Sequence, residues 1–179
     1  MSAGAVAVLA ALALLVSRCG GGPAEPLRSP AAPATPAATS PAAPSSESAG
    51  PFVPVVRVVD GDTIWVPPEE RVRLIGIDTP EVDWYGSEAE CYGEEAGLFL
   101  RRLLEGERVR LAYDEELVDR YGRTLAYVYL EDGRMVNLLM VRRGYAVVTI
   151  FEPNDRHEER LRIAEREAQE ARRGLWPAC

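Results

Sequence analysis

Between residues 23 and 50 the chain is a run of Pro, Ala, Ser and Thr with scarcely a large apolar side chain. Such a segment cannot bury enough surface to offset the entropy of ordering it, so residues 20–50 are expected to be a disordered tether. Everything that can fold is thereby confined to residues 51–179, enough for one compact domain with a sizeable core. Ahead of the tether, residues 5–16 (AVAVLAALALLV) are unbroken apolar sequence. That run is too short to span a bilayer and has the length of a signal-peptide core. Cys19 and three glycines follow, a layout suited to a lipoprotein processing site, although Arg18 stands where a small residue is usual. Residues 1–19 are read as an export signal, with lipidation of Cys19 and cleavage elsewhere as the two alternatives.

Charge narrows the partners. Only Glu25, Glu47, Arg18 and Arg28 lie outside residues 51–179, which leaves 26 acids against 18 arginines, a net charge of about −8. Domains that bind duplex nucleic acid are usually basic, so any polyanion here must be held by a local patch, with or without a metal. Every basic residue is Arg and none is Lys, which supplies planar forks for phosphate rather than point charges. With Cys19 lipidated or removed, Cys91 and Cys179 remain as an even pair in an oxidising compartment. A disulfide between them is expected, tying the last residue back to the domain.

The domain reads as alternating strands and helices. VVDGDTIWV at 58–66 is a hairpin signal: Asp60-Gly61 lies between β-branched runs, and Gly accepts a positive φ without a Cβ clash. Strands are expected at 55–60, 62–66, 71–77, 108–113 and 125–130, with a brief extended run at 145–151. Ser87-Glu88-Ala89-Glu90 is a capping box for a helix running to about Leu104. A second helix is expected at 136–143 before Gly144. A third, at 155–173, carries Leu161, Ala164, Ala168, Ala171 and Leu175 on one stripe. The fold class is α+β with a mainly β core: a five-stranded OB-type barrel with three helices fits this order, as do other α+β arrangements.

Several polar groups at element ends are left over by this patterning. They are Asp62 after the hairpin turn, Arg73 inside an otherwise apolar strand, Asp78 and Glu81 in IDTPE, and Arg123 in DRYGR. Singly, each has a plain explanation, such as an Asx-turn for Asp78 before Pro80. Together they match what phosphodiester hydrolysis needs. Asp62 and Asp78 could hold a hard cation acting as a Lewis acid. Arg73 and Arg123 could clamp the non-bridging oxygens, and Glu81 could orient or deprotonate the attacking water. Zinc is disfavoured because the one His is His157, given a structural or solvated role, and no Cys pair has ligand spacing.

These residues lie in VVDGDT (58–63), RLIGIDTPE (73–81), DRYGRTLAYVYLEDGRMVN (119–137) and EPNDRHEERLR (152–162). In order and spacing the motifs resemble the staphylococcal nuclease family, over roughly residues 55–177. The resemblance implies an OB-type barrel with three helices that cleaves DNA and RNA with Ca²⁺, leaving a 5′-hydroxyl and a 3′-phosphate. It puts the metal carboxylates on Asp62 and Asp78 and a ligating main-chain carbonyl on Thr79. It puts the catalytic arginines on Arg73 and Arg123, and the carboxylate near the attacking water on Glu81. Arg120 and Tyr121 would then touch the nucleotide phosphates. Two positions where the family has tyrosines read Thr149 and Phe151; Phe151 can still stack on a base, whereas Thr149 cannot. The partners expected are DNA and RNA, single strands preferred, met by a monomer whose only membrane contact is a lipid on Cys19.

A site with two carboxylates, one carbonyl and waters binds Ca²⁺ weakly, which is useful where Ca²⁺ is abundant. This agrees with an extracytoplasmic place, secreted or lipid-anchored at a bacterial surface. The alternatives are a catalytically inactive OB-type module that binds nucleic acid or protein, and an envelope protein whose fold is incidental. A binding-only module has no use for Arg73, Glu81 and Arg123 together with both acids.

Overall fold

The computed structural model describes residues 50–68, 70–82 and 89–179. The expected leader lies outside these residues, as does the tether up to its last position.

The hairpin forms where Asp60-Gly61 calls for one. Strand β2 (Arg57–Val58) pairs antiparallel with β3 (Thr63–Val66), and the Val59 N–H closes the turn on the Thr63 carbonyl at 2.9 Å. Next comes β4 (Glu70–Leu74), antiparallel to β3, and beyond it β7 (Thr124–Leu130), parallel to β4. Antiparallel β6 (Arg108–Ala112) and β1 (Val53–Pro54) complete a six-stranded sheet in the order β1-β6-β7-β4-β3-β2. A two-stranded sheet joins β5 (Ile77–Asp78) to β8 (Val147–Val148). The architecture is α+β with a mainly β core, as expected, and belongs to the OB type.

The strand expected at 71–77 divides in two. The chain turns at Ile75–Gly76, where Gly76 adopts φ +78 and a Cβ would fall 2.7 Å from Leu161 Cδ1. Only glycine meets both demands, and the turn sends β5 to a different sheet.

Helix α1 (Gly93–Leu104) starts later than its capping-box signal. Ser87 and Glu88 lie outside the described residues, while Ala89–Tyr92 are not helical and Tyr92 sits in the left-handed region at φ 72. Glu90, which the box would place inside the helix, uses its carboxylate on the Glu81 N–H instead. Helix α2 (Val136–Arg143) has the bounds expected of it and ends on Gly144 at φ 76. Helix α3 (Glu158–Glu170) buries Leu161, Ala164 and Ala168, and a one-turn helix α4 (Leu175–Ala178) follows a break at Gly174. Ala171 departs from the expected stripe: it is the α3 C-cap and is exposed, since the helix stops before that turn can pack. His157 has the structural role, its ring edge-on to Tyr127 at 4.5 Å and Nε2 3.3 Å from the Tyr129 hydroxyl.

The core runs from Ile64, Val72 and Leu74 on the sheet through Leu100 and Leu104 of α1 to Met140 and Leu161 of α2 and α3. One polar side chain is buried at its centre. Asn137 donates from Nδ2 to the Ile75 carbonyl at 2.8 Å and accepts the Val128 N–H on Oδ1 at 2.9 Å. It thereby serves main-chain groups that the β4 turn leaves without ladder partners.

Candidate active site

Sheet register brings the charged residues together. Thr63 faces Arg73 across the β3–β4 ladder, so Asp62, one residue earlier, lies beside the guanidinium. The Leu74 N–H fixes that corner by donating to the Asp62 carbonyl at 2.9 Å. In the parallel β4–β7 pair Arg73 faces Leu125, which puts Arg123, just before β7, at the same end. The Gly76 turn then carries Asp78 back toward Arg73.

Arg73 is the hub. Its Nη1 donates to the carbonyls of Leu74 (2.9 Å) and Ile77 (2.7 Å), and its Nη2 lies 3.0 Å from Asp62 Oδ2 and 2.6 Å from Asp78 Oδ1. With its side chain only 12% exposed, this is the anionic pairing that an arginine on a half-buried strand requires. Asp62 is held from three further directions. Its Oδ2 accepts the Thr79 N–H at 3.1 Å and the Thr79 hydroxyl at 3.2 Å, and its Oδ1 accepts the Thr63 hydroxyl at 3.1 Å. The metal carboxylates that the sequence singles out thus converge on one nitrogen, with Thr79 packed against them.

On the facing side, Arg123 Nε donates to Asp119 Oδ2 at 2.7 Å, while the Arg123 and Tyr121 N–H groups both donate to Asp119 Oδ1 at 2.9 Å. The guanidinium of Arg123 lies 5.4 Å from the Tyr121 ring centre, and that of Arg120 lies over the same ring at 4.7 Å. Tyr121 and Phe151 are exposed, at 60% and 71%. A cleft of ≈ 580 Å³ is lined by Asp62, Arg73, Asp78, Glu81, Arg120, Tyr121, Arg123 and Phe151, and also by Thr149. All the residues picked out for metal, catalysis and substrate line it or, in the case of Thr79, hydrogen-bond to one that does.

The cleft also holds residues that sequence reasoning passed over. Asp60, read as a turn residue, lines it and accepts the Asp62 N–H at 3.0 Å. Asp119 orients Arg123, and its place four residues ahead in DRYGR was the available signal. Glu116 and Asn154 join the two lips: Asn154 Oδ1 accepts the Glu116 N–H at 2.8 Å and Nδ2 donates to the Glu116 carbonyl at 2.9 Å. Nothing in the sequence marks that pair.

Negative charge is crowded at the cleft floor. Burial, and then the neighbouring Asp62 carboxylate, pushes Asp60 up to about 6. Asp78 is raised by burial, against the pull of Arg73, and Glu81 is raised by burial and by the charges of Asp62, Asp78 and Glu90. Asp119 moves the other way, since the hydrogen bonds from Arg123 and Tyr121 outweigh its burial and lower it. Asp62 and Asp78 thus pair with Arg73, with Asp60 and Glu81 lining the same cleft, while Arg123 is engaged by Asp119. That surplus of hard oxygen anions suits a divalent cation such as Ca²⁺ or Mg²⁺. Among the described residues no three His, Cys, Asp or Glu side chains are grouped to hold a metal ion. The two carboxylates on Arg73, Asp62 and Asp78, are the groups here that could meet such a cation.

A sequence model of the family described as staphylococcal nuclease homologue matches residues 71–178. The thermonuclease of Staphylococcus intermedius is 43% identical over 125 residues, covering 68% of this chain and 74% of the relative. The thermonuclease of Staphylococcus hyicus is 41% identical over 125 residues, covering 68% and 73%. Endonuclease YncB of Bacillus subtilis (strain 168) is 35% identical over 125 residues, covering 67% and 59%.

Proposed function

The chain belongs to the staphylococcal nuclease family, and from that premise we propose that it is a Ca²⁺-dependent nuclease cleaving DNA and RNA to 3′-phosphate and 5′-hydroxyl ends. The observation that supports this best is the meeting of Asp62 and Asp78 on Arg73 in a cleft that Glu81 and Arg123 also line. A module that only bound nucleic acid would gain nothing from setting two carboxylates on one guanidinium beside Glu81 and Arg123.

Each residue has a part in the reaction. Asp62, Asp78 and the Thr79 carbonyl hold the cation, which supplies Lewis-acid polarisation of the phosphoryl group when bound. Glu81 accepts a hydrogen bond from the attacking water and aligns it with phosphorus. Arg73 and Arg123 contact the non-bridging oxygens as negative charge builds on them. The approach of a phosphate gives Arg123 a second anion while Asp119 keeps the fork aimed. Arg120 and Tyr121 contact flanking phosphates, and Phe151 stacks on a base. The surplus of acid on the domain weakens long-range attraction of the polymer, so binding depends on this local set and on the cation.

The apolar leader and the Pro/Ala tether support work outside the cytoplasm, as a secreted protein or through a lipid on Cys19. The deciding experiment is cleavage of single-stranded DNA and of RNA by the full chain, with Ca²⁺ and then with EGTA. Cleavage confined to Ca²⁺ and leaving 3′-phosphate ends is the expected result. A folded chain that stays inert in Ca²⁺ would turn the reading to a binding module.

A further inference from the structure

Glu81 lies beyond β5 and has no strand neighbour to hold its main chain. One residue does that work. The Glu81 N–H donates to Glu90 Oε2 at 3.1 Å, and the Glu81 carbonyl accepts the Glu90 N–H at 3.0 Å. A side chain and its own amide therefore engage both main-chain groups of Glu81, much as a facing strand residue would. The start of α1 presses on the same carbonyl: a Cβ on Gly93 would fall 2.6 Å from the Glu81 oxygen and 3.0 Å from that of Pro80.

The two residues after Glu90 are anchored elsewhere, and both anchors lead to the corner that ends α2. Cys91 is disulfide-bonded to Cys179, the residue that caps the short α4 turn. That turn is fastened by the Leu175 N–H, which donates to the Gly144 carbonyl at 2.8 Å. Tyr92 stacks on Tyr145, the residue after Gly144, with ring centres 5.6 Å apart, and Tyr145 stacks in turn on Phe99 of α1 at 4.3 Å. Residues 90–92 are thus braced against the Gly144–Tyr145 corner on one side and present Glu90 to Glu81 on the other.

We propose that Glu90 is a positioning residue for Glu81, and that the Cys91–Cys179 disulfide holds Glu90 where it can act. Any disulfide stabilises by restricting the unfolded chain. This one also sits next to the residue that grips the proposed catalytic carboxylate, so its state reaches the cleft. Both cysteines belong to exposed residues. Reduction takes two electrons and two protons from a dithiol, which closes to its own disulfide and leaves Cys91 and Cys179 as thiols. The chain end is then free of residue 91, and Glu90 loses one of its anchors. The inference rests on the role given to Glu81 above.

The test uses the full chain as wild type, Glu90→Ala, Glu90→Gln, and Cys91→Ser with Cys179→Ser. For each, kcat and KM on single-stranded DNA are measured beside the hydrogen-exchange rate of the Glu81 amide. Glu90→Ala should lower kcat about tenfold to a hundredfold while KM stays within about twofold, because the reacting geometry and not substrate contact is lost. Glu90→Gln keeps an acceptor oxygen and should recover most of that loss. The double cysteine variant, with Glu90 intact, should still speed Glu81 amide exchange by about tenfold and lower kcat at steady KM. Dithiothreitol on the folded wild type should reproduce this reversibly, and it carries the test should the double variant not fold.

Wild-type kcat in Glu90→Ala would overturn the proposal. So would unchanged Glu81 exchange in both the double variant and the reduced protein. If the wild type does not cleave at all, the nuclease reading fails, and the exchange rate of the Glu81 amide still decides whether the brace exists.

Discussion

Arg73 on β4 and Asp78 on β5 meet at 2.6 Å, so one ion pair spans the break between the six-stranded sheet and the two-stranded one. The same guanidinium nitrogen touches Asp62 at 3.0 Å. Arg73→Lys keeps the charge but offers no planar fork for two carboxylates, two carbonyls and a phosphate. Its kcat should fall about 10²–10³-fold, the loss typical of one transition-state donor, or roughly 3–4 kcal/mol. Steady-state kinetics with circular dichroism of the variant checks this; near-normal turnover would remove Arg73 from the reaction.

Asp119 gives a pH prediction with a definite sign. Its carboxyl is lowered from the ordinary 3.8 by the hydrogen bonds of Arg123 and Tyr121, against its burial. A depressed folded-state pKa adds stability that is fully present above the unfolded value and is lost as pH falls through the folded one. Acid unfolding below about pH 4 should therefore be less steep in Asp119→Asn than in wild type. The same variant should lose turnover at neutral pH, since Arg123 is no longer aimed. Identical acid curves for the two proteins would contradict the first claim.

Phe151 stands 71% exposed at the cleft, and Thr149 occupies the nearby position that cannot stack. Phe151→Ala should weaken binding of a single-stranded oligonucleotide by about 1–3 kcal/mol, the range for one stacked base. Thr149→Tyr should tighten it. Fluorescence anisotropy in Ca²⁺ measures both, and equal affinities across the three proteins would discard the stacking role.

Asn137 is fully buried and serves two main-chain groups. Asn137→Ala leaves the Ile75 carbonyl and the Val128 N–H without that partner, at about 1–3 kcal/mol for each group left unsatisfied. Urea unfolding should show a midpoint shift of that size. Because Ile75 precedes the turn that carries Asp78, turnover of the folded fraction should fall as well.

Much of this arrangement is legible in the residues themselves. An arginine between Val72 and Leu74 announces an anionic partner, and the structure supplies two. Gly144 marks the end of α2 at the right residue because helix termination there is a local matter of a positive φ. What escapes is whatever depends on distant segments. The break at Gly76 is set by Leu161, more than eighty residues away, and the late start of α1 by the engagement of Glu90 with Glu81. Asp60 reads as turn chemistry because its burial beside Asp62 exists only once β3 and β4 have paired. Periodicity does not say where a helix stops, so Ala171 falls at the α3 C-cap and Leu175 packs from α4 instead.

The carboxamide of Asn154 gives and receives one hydrogen bond with the backbone of Glu116, thirty-eight residues away, and is itself only 3% exposed. Those two bonds are what an added rung of ladder would provide, yet no strand runs between the lips. The gauge of the slot is therefore written in this amide together with Arg156, whose Nη1 donates to the Tyr113 carbonyl at 3.0 Å and whose Nη2 lies 3.1 Å from Asp114 Oδ1. To widen it, the Asn154 pair and the Arg156 bonds must all be given up, so the width of the opening is fixed by side chains reaching across it and not by a sheet.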